Sequence, residues 1–137
     1  MSYRLAVLAH ALTIYKTKPD YPWQKWPDCA VLRHRENRKW YGLLMTVKWE
    51  QLGVATRKKN VDASVSLLRS HQVRDSYVDI LNVKCDPNFI ESIRGTHGFL
   101  SAYHMNRKNW VSILLDGSVD KETIFSLLDM SYELTKK

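Results

Sequence analysis

The side chains of this chain that could do chemistry fall into two groups. The first is an imidazole in a polar, aromatic setting: His104, with Tyr103 before it, Asn106 after it and Trp110 opening an apolar run. An imidazole held by a hydrogen-bonding partner moves protons near neutral pH, and Asp116 is within chain reach as such a partner. Yet no Ser or Cys stands in a nucleophile motif and no Gly-rich phosphate loop occurs. These residues suit a structural histidine tying Tyr103 and Asn106 to nearby backbone better than a catalytic one, with Asn106 and Asn109 capping a turn. The second group is cationic. Arg33, Arg35, Arg38 and Lys39 crowd a turn, Arg107 and Lys108 follow His104, and Arg57-Lys58-Lys59 forms a short run. Such side chains can grip phosphates.

Neither a catalytic residue nor a metal or cofactor is assigned. His97 and His104 stand seven residues apart, without the close ligand pairs of zinc sites. Cys29 and Cys85 lie far apart with no Cys-x-x-Cys spacing, and each reads as a reduced core thiol.

Charge supports the cationic group. The chain carries a net +7, and it is uneven: residues 1–60 hold 12 Lys/Arg against 4 Asp/Glu, residues 61–137 hold 9 against 10. Such asymmetry suits a face that meets a polyanion, although charge also keeps a small protein soluble. At 137 residues, 45% apolar and 26% charged, the chain is expected to form a single domain over 1–137. No run reaches the ~18 apolar residues of a membrane span, and His10 interrupts the only apolar start, so no signal peptide is expected and a cytoplasmic address fits.

The elements that must position these groups follow from patterning. Leu5, Leu8, Leu12 and Tyr15 predict an amphipathic helix over 3–16, stopped by Pro19. Tyr21 to Pro27 is too rich in proline for regular structure and reads as an aromatic lid, with Trp23, Lys25 and Trp26 as the competing stacking platform. Strands are expected over 29–34 and 39–47, the second with Tyr41, Leu43, Met45, Val47 and Trp49 facing the core. The turn between them is the basic tip. It reads equally as a phosphate grip and as a solvated hairpin whose charges blunt an edge. An insert over about 50–75 carries a short helix stripe at Val61, Val65 and Leu68.

A central strand follows over 76–84, then a helix capped by Asp86-Pro87, with Phe89, Ile90 and Ile93 buried and Gly95 ending it. Ala102 to Met105 is expected as a fourth strand, and 110–115 as a fifth with Val111, Ile113 and Leu115 inward. Ser118 or Asp120 caps a last helix whose stripe is Ile124, Leu127, Leu128 and Leu134, widened by Phe125 and Tyr132. The order α-β-β-β-α-β-β-α predicts an α+β, two-layer fold, an antiparallel sheet with helices on one face.

Several linked motifs carry a resemblance. Tyr103-His104-Met105-Asn106-Arg107 with Asn109-Trp110, then Leu115-Asp116-Gly117-Ser118, then Asp129-x-Ser131-Tyr132, are joined by Lys39-Trp40-Tyr41 and Leu81-Asn82-Val83-Lys84-Cys85-Asp86-Pro87. Together, over roughly 22–134, they resemble the MmcQ/YjbR family of small bacterial proteins. Arg107 stands where that family usually has Lys, and the 50–75 stretch is longer than in its compact members. The resemblance implies the same α+β arrangement and a DNA-binding role, with no established activity.

Three readings of function compete. The first is a non-enzymatic DNA-binding protein of low sequence selectivity, using Arg33, Arg35, Arg38, Lys39, Arg107 and Lys108 on phosphates. The second is a protein-interaction or homodimerising module, with the uncovered sheet face and Trp23 or Trp26 as anchors. An enzyme centred on His104 is the third.

Overall fold

The computed structural model describes residues 2–52 and 76–136. The expected helix stripe Val61–Leu68 and the basic run Arg57-Lys58-Lys59 lie outside them. The order is α1 (Tyr3–Tyr15), β1 (Ala30–Arg33), β2 (Trp40–Lys48), a 3₁₀ turn (Trp49–Leu52), β3 (Tyr77–Lys84), α2 (Pro87–Ile93), β4 (Phe99–Ser101), β5 (Trp110–Leu114) and α3 (Lys121–Thr135). The strands form one antiparallel sheet in the order β1-β2-β3-β5-β4. β3 is central, as its apolar residues on both faces require. The expected fourth strand is displaced: β4 is Phe99–Ser101, and Ala102 to Asn109 is a loop.

All three helices supply the main core. Val7 and Ala11 of α1, Ile90 of α2, and Ile124, Leu127 and Leu128 of α3 pack on Ala30, Leu32, Leu44, Leu81, Val83, Val111 and Ile113. The second sheet face holds a smaller cluster of Val47, Val78, Ile80 and Leu114, flanked by Met45, Trp49, Leu52, Leu100 and Tyr103. These four strand residues are buried.

A bulge explains why the facing of β2 differs from its alternation. Arg33 pairs with Trp40 and Leu32 with Gly42, which leaves Tyr41 opposite no residue. Tyr41 joins the helical core while Leu43, Met45 and Val47, two-residue steps from it, turn to the other face. Gly42 fits because a Cβ there would lie 3.1 Å from Leu32 Cδ1 and 3.2 Å from Leu128 Cδ1.

The helix stripes are also corrected at particular residues. In α1 the buried side is Ala6, Val7 and Ala11, whereas Leu5 and Leu12 are 56% and 50% exposed. α1 is apolar nearly all round, so leucine spacing does not choose its facing. Contacts with α3 do: His10 stacks on Phe125 and its Nε2 lies 3.0 Å from Asp129 Oδ1, while Tyr15 stacks on Tyr132 and donates to Asp129. In α3 the buried stripe runs through Ser131 and Thr135, and Leu134 is 47% exposed. Asp120, not Ser118, caps this helix by accepting from the Thr123 N–H at 3.0 Å. Asp86 caps α2 with Pro87 at its first turn.

Each buried polar group on α3 ties a helix to the sheet. Ser131 Oγ donates to the Tyr41 carbonyl at 2.6 Å and accepts from the Lys84 N–H at 2.9 Å. It thereby satisfies the bulge in β2 and the end of β3 at once. His34, 3% exposed, pairs its Nε2 with Thr135 Oγ1 at 2.7 Å and lies between the rings of Tyr41 and Tyr132. Burial pushes its imidazole below the usual 6.5, with a backbone hydrogen bond at Tyr132 opposing.

Two outcomes follow. Ser131→Ala strands a buried donor and a buried carbonyl, and should lower unfolding free energy by about 1–3 kcal/mol. Ser126→Ala, on the exposed side of the same helix, should change it by less than about 0.5 kcal/mol in the same urea titration. Because the neutral imidazole of His34 is the form the fold accommodates, its contribution is fully present above pH 6.5. It is lost as pH falls toward the depressed native value, because the unfolded chain binds the proton first. Urea midpoints should therefore decline below pH 6.5 in the native chain, and decline less in His34→Gln.

Candidate functional site

Antiparallel pairing on both sides of β3 decides where the cationic residues meet. Gly42 pairs with Val83 and Lys84 with Trp110, while Ser101 pairs with Val111. The β1–β2 turn, the end of β3 and the β4–β5 loop consequently share one end of the sheet. Arg35, Arg38 and Lys39 on the turn, and Arg107 and Lys108 on the loop, are exposed there. Lys84, half-buried at the end of β3, and Lys136, after α3, share that end. Sequence reading did not nominate these two, since only strand register and the packing of α3 show where they lie. Glu36, Asp86 and Glu133 are interspersed, Glu133 lying 3.4 Å from Lys136 Nζ. Among the described residues, Glu50, Asp116, Asp120 and Glu122 accompany Lys48 and Lys121 at the opposite end.

The turn is held rather than free. Asn37 Nδ2 donates to the carbonyls of Thr135 and Lys136 at 2.9 and 3.0 Å, satisfying the C-terminus of α3. Its Oδ1 accepts from the Lys39 N–H at 2.8 Å, and Arg38 takes a left-handed conformation with φ 63°. Arg33 differs from its neighbours. Its Nε lies 2.8 Å from Asp20 Oδ2, a charge contact without hydrogen-bond alignment, so its head is already engaged within the protein. No ion pair among the described residues engages Arg35, Arg38, Arg107 or Lys108.

Of the aromatic lid, Trp23 packs edge-on against Trp40 with centroids 5.8 Å apart. Trp26 is 58% exposed.

The cluster around His104 divides. Asn106 builds the turn: its Oδ1 accepts from the Lys108 N–H at 2.8 Å and its carbonyl from Trp110 N–H at 2.9 Å. Trp110 begins β5 opposite Lys84. Asp116 is at the far end of β5, accepting from the Ser118 N–H, and cannot orient the imidazole. The structural ties expected of His104 are made by others. Asn82 and Ser112, both fully buried on adjacent strands, hydrogen-bond to each other; Asn82 Nδ2 donates to the Tyr103 carbonyl at 3.3 Å, and Ser112 Oγ accepts from the Tyr103 N–H at 2.9 Å. His104 itself is exposed, has φ 60°, and lies with Tyr103, Arg94 and Arg107 around a cleft of about 460 Å³. Cys29 and Cys85 are buried free thiols, and burial pushes Cys85 up to about 11. Among the described residues no group of His, Cys, Asp and Glu could hold a metal ion, and no helix is long and apolar enough to cross a membrane.

Comparison with known proteins agrees with this architecture. The YjbR family model matches residues 12–134. The uncharacterized protein YyaQ of Bacillus subtilis is 38% identical over 130 residues, 95% of each chain. A crystal structure of a Pseudomonas syringae protein is 37% identical, covers 96% of this chain and 97% of its own, and superposes with a TM-score of 0.79. The Deinococcus radiodurans protein DR2400, 21% identical with a TM-score of 0.67, covers all of this chain and 80% of its own, and shares the fold. With family model, homologue and architecture in agreement, the chain belongs to the YjbR family.

Proposed function

We propose that this protein binds nucleic acid, through the cationic end of its sheet, as a non-enzymatic DNA-binding protein of low sequence selectivity. The observation that supports it is the convergence of Arg35, Arg38 and Lys39 with Arg107 and Lys108 from segments some 70 residues apart in sequence. At a strand spacing of about 4.8 Å, the turn and the loop stand about 14 Å apart, comparable with the roughly 12 Å width of a major groove. Two cation clusters at that separation suit phosphates on either side of a groove. Long, mobile side chains around a rigid turn give charge neutralisation without base-edge readout. Arg33, already engaged by Asp20, contributes field more than contact.

Binding of this kind releases counterions. Engagement of about four phosphates gives a slope of roughly −3.6 in log K against log salt. A labelled duplex should bind at 20–50 mM salt (roughly the low-salt regime of phosphate-driven binding) and weaken steeply by about 200 mM. Charge reversal of Arg35 and Arg38 together should weaken it by at least about tenfold and flatten the slope by roughly two. Asn37→Ala, which unpins the turn from α3, should weaken it less and leave the slope in place. Absence of binding at low salt, or an R35E/R38E protein that binds like the native one, would refute the proposal.

Exposure of Leu5 and Leu12 on the outer side of α1 favours self-association as the second reading. A single-chain mass in solution at high protein concentration would remove it.

A further inference from the structure

The second face of the sheet ends in a cleft that shares only Arg107 with the proposed nucleic-acid surface. Its apolar wall is Leu52 and Leu100, and its polar wall is Arg94, His104 and Arg107. Among the described residues no carboxylate lines it; Arg94 Nη2 is ion-paired with the exposed Glu91 at 3.0 Å, a contact that an anion would share or displace. Gly95 stands at the rim with no heavy atom within 4 Å of where a Cβ would be, leaving room beside Arg94. The volume of about 460 Å³ falls within the roughly 300–1,000 Å³ of small-molecule sites.

Two further features argue that this wall is built rather than incidental. Asn82 and Ser112 are polar residues fully buried between strands, and through each other and Tyr103 they fix the loop that carries His104. His104 also holds a left-handed backbone, a conformation that costs a non-glycine residue free energy and that gathers at ligand sites. A chain needing only a turn there would favour Gly or Asn.

We infer that this cleft binds a small organic anion, its phosphate or carboxylate head between Arg94 and Arg107 and its flat apolar body against Leu52 and Leu100. Guanidinium forks match either head, and the apolar wall accounts for the body. The imidazole of His104, with its ring 4.1 Å from that of Tyr103, closes the polar side.

The test is a titration of the full chain with phenyl phosphate, and in parallel with benzoate, followed by amide NMR shifts. At least one of these acids should give saturable shifts centred on Gly95, Ser101, Tyr103 and His104, while phenol and inorganic phosphate bind more weakly because each supplies half of the match. Arg94→Gln should weaken the acid by about tenfold, the loss of a charge-assisted hydrogen-bonding partner. His104→Gly should also weaken it while thermal stability holds or rises, since glycine relieves the positive φ. A lower melting temperature with unchanged affinity would instead assign His104 to the fold. The R35E/R38E protein should bind the acid normally, which separates this site from the nucleic-acid surface whatever the outcome there. The inference is overturned if neither acid gives saturable shifts, or if their binding survives Arg94→Gln but is lost in R35E/R38E.

Discussion

Antiparallel pairing of β3 with both β2 and β5 is the constraint from which the rest of the molecule follows. An antiparallel neighbour on each side returns the chain to the same end twice. The β1–β2 turn and the β4–β5 loop, far apart in sequence, are thereby brought to one end of the sheet, and the acidic turn before α3 is sent to the other end. Backbone hydrogen bonds perpendicular to the strands fix this arrangement. The side-chain chemistry of the two ends is a consequence of register, not of local sequence.

Polar groups inside the fold then convert that arrangement into fixed geometry. Ser131 joins α3 to the β2 bulge and to β3; His34 and Asn37 dock the basic turn on the end of α3; Asn82 and Ser112 hold Tyr103. The buried ones among these side chains would be costly to bury without their partners. An all-apolar core would pack but would leave both loops unaligned. The candidate binding residues lie on loops, and these buried polar residues tie those loops to the sheet and to α3.

The two faces of the sheet divide the work. One face is closed by three helices and supplies most of the buried apolar surface. The other carries a smaller cluster and, along β4 and the loop after it, an arginine-lined cleft. Cationic residues on the sheet end and on the cleft wall draw on the same excess of Lys and Arg, with Arg107 common to both. As proposed, a polyanion and a small anion would therefore sit on adjacent cationic residues.

Much of the architecture is legible in the sequence. Period-two apolar runs define the strands, Asp86-Pro87 and Asp120 start helices, and the linked motifs from Tyr103 to Tyr132 give the family. What fails does so for reasons of tertiary contact. The facing of β2 departs from its sequence alternation because a single bulged residue, Tyr41, reverses the alternation after it, and a bulge has no side-chain signature. Leu5, Leu12 and Leu134 are exposed because α1 chooses its face by pairing His10 and Tyr15 with α3, and α3 buries Ser131 and Thr135 for their hydrogen bonds. The residues around His104 were read as one cluster because they are neighbours in the chain, yet Asn106 and Trp110 serve the turn while Arg94 joins the imidazole from another element. Local propensity, capping and hydrophobic period are written in neighbouring residues, so the chain itself determined its elements, their order and its family. Which charges share an end and which side chains share a cleft depend on pairing between distant segments, and only the folded sheet decided them.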